Sequence, residues 1–134
     1  MKALQTTFVI MMSSCVLMAC TAKQQPDSVE SSSRVCKLND DIQRKKIPQT
    51  PHNMSLPEFG REVIGWGTGP KDAKQRLESI QKSDLREIQD KGTTLAMAEE
   101  WQALYENEVQ RNPCNPAAAY RAQLMKKIAQ LWGK

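Results

Sequence analysis

From Ser55 onward the apolar residues recur at helical spacing, and each run is bracketed by residues that start or stop a helix. Ser55-Leu56-Pro57-Glu58 has the form of a capping box, with proline tolerated in the first turn. Leu56, Phe59, Val63 and Trp66 then mark one face. Gly65, Gly67 and Gly69 interrupt it, and Pro70 opens a second helix with Ala73, Leu77 and Ile80 on its buried side. Ser83 is placed to cap a short third segment holding Leu85 and Ile88, which Gly92 ends.

The last two runs are the most regular. Thr93 or Thr94 caps a segment whose apolar positions are Met97, Trp101, Leu104, Tyr105 and Val109. Asn112-Pro113 stops it, and Asn115-Pro116 restarts the chain as N-cap and first helical residue. Tyr120, Leu124, Met125, Ile128, Leu131 and Trp132 form the final stripe. So short a turn forces an antiparallel hairpin, with Trp101 near Ile128 and Met97 near Trp132. The first arm carries Glu99, Glu100, Glu106 and Glu108, and the second carries Arg121, Lys126 and Lys127 with no acid, so the arms attract. No stretch alternates with period two. The pattern predicts an all-α fold: a small bundle of four to five short helices over 55–134, closed by a helical hairpin.

The first half reads differently. Residues 21–34 hold one isolated valine among serines, glutamines and charges, too little apolar surface to order them. Val35, Leu38 and Ile42 suit a short helix before Pro48, and Pro48, Pro51 and Pro57 stiffen the stretch up to the first capping box. The lone His52 falls there as a solvated loop residue. Residues 20–54 are thus expected to be a flexible tether.

Ahead of the tether stand Met1-Lys2, the apolar run Phe8–Val16 and then Leu17-Met18-Ala19-Cys20. The run is too short for a membrane-spanning helix, which needs roughly 20 apolar residues. This end resembles a bacterial lipoprotein signal, in which Cys20 receives lipid after residues 1–19 are removed. The resemblance implies acyl chains such as palmitate on Cys20. With Thr21 rather than aspartate next, it also implies an outer-membrane location, facing the periplasm or the cell surface.

Charge and cysteines narrow the reading. The formal charge is +4, and removing residues 1–19 takes away Lys2 and no acid, leaving +3. That is too mild and too dispersed for a nucleic-acid partner. Of four cysteines, Cys15 leaves with the signal and Cys20 is the lipid acceptor. Cys36 and Cys114 remain, and two cysteines in an exported chain favour a disulfide, which the loop-entropy relation values at about 4 kcal/mol. A metal site and a thiol nucleophile paired with His52, the single histidine, are the alternatives. No metal or cofactor is expected.

Three places could hold chemistry. Gly65-Trp66-Gly67-Thr68-Gly69-Pro70 leads a glycine-rich turn into a helix N-terminus, an arrangement able to bind anions, though it lacks the Gly-Lys-Ser/Thr of a P-loop. Glu62 before that turn resembles the acid of phage-type lysozymes, but no second carboxylate is placed to serve with it. Arg121, Lys126, Lys127 and Lys134 make the last helix basic, either a surface for anionic lipid, a cell-wall polymer or an envelope partner, or a solvated face whose single bases cost under about 1 kcal/mol to remove.

A second resemblance covers Ser55 to Lys134. Leu56-Pro57-Glu58-Phe59-Gly60, the glycine turn, Met97-Ala98-Glu99-Glu100-Trp101, Tyr105-Glu106-Asn107-Glu108 and Arg111-Asn112-Pro113-x-Asn115-Pro116 resemble an uncharacterised bacterial helical domain, with Cys114 standing where a polar residue is expected. That domain occurs near the ends of secreted proteins of the polymorphic-toxin kind, and the resemblance brings no catalytic residues. The sequence thus points to a lipid-anchored envelope module that binds a partner. A toxin-like or cell-wall-acting enzyme and a periplasmic immunity-type inhibitor are the rival readings.

Overall fold

A computed structural model describes residues 36–133. The expected signal segment, Cys20, the expected tether as far as Val35, and Lys134 lie outside the described residues. Within them are five helices and no strand. Helix α1 (Leu56–Glu58) runs on as a π-helical stretch, Phe59–Ile64. It is followed by α2 (Pro70–Ser79), α3 (Lys82–Asp90), α4 (Leu95–Arg111) and α5 (Pro116–Trp132). The α4–α5 hairpin is the frame, with α2 and α3 both laid against α5.

The starts follow local chemistry. Ser55 Oγ accepts from the Glu58 amide at 3.3 Å while Glu58 reaches back to the Ser55 amide, which closes the capping box. Thr94, rather than Thr93, caps α4 by accepting from the Met97 amide at 3.2 Å. Asn115 caps α5 through the Ala118 amide, also at 3.2 Å. The start of α3 departs from expectation. Asp84 turns back to the Gln81 amide at 2.7 Å, so Gln81 is the first residue of that helix turn and Ser83 is left exposed.

One core serves the π-helical stretch and helices α2 to α5. Phe59, Ile64, Trp101, Leu124, Met125 and Ile128 are completely buried in it. Four aromatic rings sit at its centre: Phe59, Trp66, Trp101 and Tyr105, with centroids 5.3–5.9 Å apart. Trp66 does not extend the face of α1 as its spacing suggested. Gly65 takes a left-handed conformation at φ 84° and ends the helix, and the Trp66 indole folds back over Gly60. Leu56, expected on the buried face, is 38% exposed. The unlike charges of α4 and α5 do not bridge the hairpin either. Among the described residues no ion pair joins them, because Glu108 pairs with Arg44 and Arg111 instead.

The ordered body begins well before Ser55. Residues 36–50 form a strap along α4, where a short helix and a flexible tether were expected. Only a turn at Asn39–Ile42 breaks its run, and Leu38, one of the three apolar markers of the expected helix, is 43% exposed. The strap ends in a single 3-10 turn, Pro51–Asn53, with Pro51 buried and lying close to Gly92.

Candidate functional site

The glycine turn is occupied by the protein itself. Asp72, in the first turn of α2, accepts from the Thr68 amide at 3.2 Å through Oδ2. A Cβ on Gly67 would stand 2.4 Å from that same carboxylate. The Thr68 amide is therefore already taken by a carboxylate, and an anion entering the turn would meet that negative charge. Glu62 is exposed on the outer side of the π-helical stretch rather than sunk beside Trp66, and its carbonyl accepts from Lys91. A lysozyme-like acid needs the desolvated pocket that Glu62 lacks.

The three bases of the last helix do not share a face. Arg121 lays its guanidinium over Trp66 at 5.3 Å and Tyr105 at 5.6 Å, and donates to the Gly67 carbonyl at 3.4 Å. Lys127 donates to the Leu77 carbonyl at 2.8 Å, closing the last turn of α2. Only Lys126 is exposed, above a hollow between α4 and α5 that Glu106 and Gln123 also line. The basic character of α5 is thus largely spent inside the molecule. Arg121 stacks on the aromatic cluster and Lys127 caps a neighbour.

Sequence reasoning missed the strap, and the strap is where the molecule concentrates its specific polar contacts. Asn107, buried near the C-terminal end of α4, donates to the Gln43 carbonyl at 3.1 Å and accepts from the Lys45 amide at 2.9 Å. Arg111 donates to the Ile42 carbonyl at 3.0 Å, and its own carbonyl accepts from the Asn39 amide at 2.7 Å. Arg44 meets Glu108 at 2.8 Å. Trp101 donates its indole N–H to the Gln49 carbonyl at 3.1 Å. Apart from the Arg44–Glu108 pair, these bonds grip the strap by its main chain. An asparagine among helix-favouring neighbours was the one available signal, since a buried amide needs partners.

Cys36 begins the strap and Cys114 sits in the α4–α5 turn, and the two are bonded with Cα atoms 5.6 Å apart. Neither sulfur is then a thiolate for metal or nucleophilic chemistry. His52 is exposed, in a left-handed conformation at φ 52°, with its ring against the Gly92 turn. Among the described residues, no group of three His, Cys, Asp or Glu side chains comes together.

A family model described as "Domain of unknown function (DUF4951)" matches residues 34–132, a span that includes the strap and all five helices. Among solved structures, the chain is similar to the NMR structure of a protein from Acinetobacter baumannii. The two are 54% identical, with a TM-score of 0.63, over 70% of this chain and 88% of that one. No curated protein matches the chain.

Proposed function

The chain belongs to the DUF4951 family, and on that premise we propose that it is a lipid-anchored module of the bacterial cell envelope, working by contact with a partner protein. The Cys36–Cys114 bond carries this reading. A cystine that fixes a fold persists in oxidising compartments and is rare where thiols are kept reduced. Leu17-Met18-Ala19-Cys20 supplies the matching export and lipidation signal. Two or three acyl chains hold a protein at a membrane far more durably than one.

The covalent path from Cys20 to Cys36 limits the reach of the module. Sixteen residue steps at no more than about 3.3–3.6 Å each place the cystine within about 60 Å of the lipid. A partner must then present its surface close to the membrane. Fatty-acid labelling of growing cells tests the anchor. The wild-type chain should take up label and fractionate with membranes, and Cys20→Ala should lose the label and either remain as an uncleaved precursor or leave the membrane fraction. Membrane retention without label would remove the lipid from the account.

A further inference from the structure

Main-chain groups of an extended segment point to alternate sides, so that residues two apart face the same way. The Gln43 carbonyl and the Lys45 amide both meet the Asn107 carboxamide, and the Gln49 carbonyl is turned to Trp101 on the same helix. That i, i+2 pattern is the one an extended segment makes, and it leaves the amides and carbonyls of Arg44 and Lys46 on the side away from Asn107. Among the described residues none of them has a hydrogen-bond partner. Over residues 43–49 the strap is thus held to α4 through the Gln43 carbonyl, the Lys45 amide and the Gln49 carbonyl, and the main chain of Arg44 and Lys46 is left unpaired among the described residues.

Its side chains are just as available. Lys45 and Lys46 are exposed and make no ion pair among the described residues, and Ile47 is 52% exposed. Beside them lies an open hollow of about 470 Å³, lined on the α4 side by Glu100 and Ala103 and on the strap side by Ile47, Pro48 and Gln49, so that its two lysines outnumber its one acid. Such an edge is fixed in advance at one end by the cystine and along its length by α4, which lowers the ordering cost of binding. Its charge decides the occupant. Lysines on an edge oppose pairing with a second copy of themselves, and they favour a strand that carries carboxylates.

We propose that the outward edge at Arg44–Ile47 docks an extended acidic segment of a partner protein by main-chain pairing. Lys45 and Lys46 meet its carboxylates, and Ile47 meets an adjoining apolar side chain. This deepens the envelope-module reading by naming the contact surface. It needs no lipid, so the labelling experiment can fail while the docking edge stands.

The test uses the oxidised full chain in mild detergent and a displayed library of random linear dodecapeptides. Selected peptides should be rich in Asp and Glu around an apolar residue, and a synthetic one should shift the backbone resonances of residues 44–49. Joint Lys45→Glu and Lys46→Glu substitution should weaken that peptide at least about tenfold and leave the melting curve in place. Three results would overturn the proposal: peptides without acidic bias, shifts gathered instead at the hollow lined by Lys82, Arg86 and Trp132, or shifts of 44–49 caused by anionic vesicles and by no peptide.

Discussion

Trp101 donates its indole N–H to the Gln49 carbonyl at 3.1 Å while its rings are completely buried between Phe59 and Tyr105. One side chain therefore joins the hairpin core to the strap. Trp101→Ala removes both roles and should cost about 3–5 kcal/mol in denaturant unfolding. Trp101→Phe keeps much of the packing and loses the hydrogen bond. It should fall between the two, with the strap amides exchanging faster than in the wild type.

Arg121 looked, by composition, like a solvated surface base whose loss would cost under about 1 kcal/mol. Its place over Trp66 and Tyr105 reverses that expectation. Arg121→Ala should cost about 1–3 kcal/mol, through the cation–π contacts and the bond to the Gly67 carbonyl. Arg121→Lys should not restore it, because an ammonium neither stacks flat nor reaches in two directions. Lys126→Ala, on the exposed side of the same helix, should stay within about 0.5 kcal/mol.

Gly60 and Gly69 make a paired test of the glycine-rich corner. A Cβ on Gly60 would stand 2.0 Å from Trp66 Nε1, whereas one on Gly69 meets nothing within 4 Å. Gly60→Ala should displace the indole and disturb the aromatic cluster, seen as a changed near-UV circular dichroism band and a lower melting point. Gly69→Ala should melt within a few degrees of the wild type. Equal melting of the two variants would mean that Trp66 is not folded over Gly60.

The helices were legible because their punctuation is local. Ser55, Asn115 and one of the threonine pair act within three residues of themselves, and apolar spacing did the rest. What escaped was every contact made by a polar side chain with distant main chain. Asn107 to Gln43 and Lys45, and Arg111 to Ile42, bridge more than sixty residues and leave no periodic trace. Leu38 and Ile42 imitated part of a helical stripe, but the Asn39 amide and the Ile42 carbonyl find their partner on Arg111 of α4 instead. The basic residues misled for the same reason. Nothing in the spacing of Arg121 or Lys127 marks that one stacks on aromatics and the other closes α2.

Tyr105 links the core to alkaline pH. Burial pushes its hydroxyl above the usual tyrosine range, with Arg121 opposing the shift. The folded state thus favours the protonated phenol. That stability is complete below the unfolded pKa of about 10 and is lost as pH rises through the folded value. Wild type should lose stability above about pH 10 more steeply than Tyr105→Phe, as unfolding midpoints across that range would record. Parallel curves for the two proteins would remove the tyrosine from the alkaline transition.

The central claim is that residues 36–50 are an ordered strap, clamped to α4 on one side and open on the other. Amide hydrogen exchange on the oxidised full chain reads it residue by residue. The Lys45 amide, bonded to Asn107 at 2.9 Å, should be protected, while the Lys46 amide beside it exchanges freely. Reducing the Cys36–Cys114 bond should speed exchange at Asn39 and Lys45 before it affects the helices. Uniformly fast exchange across the strap of the oxidised protein would contradict the account, and with it the pre-formed edge.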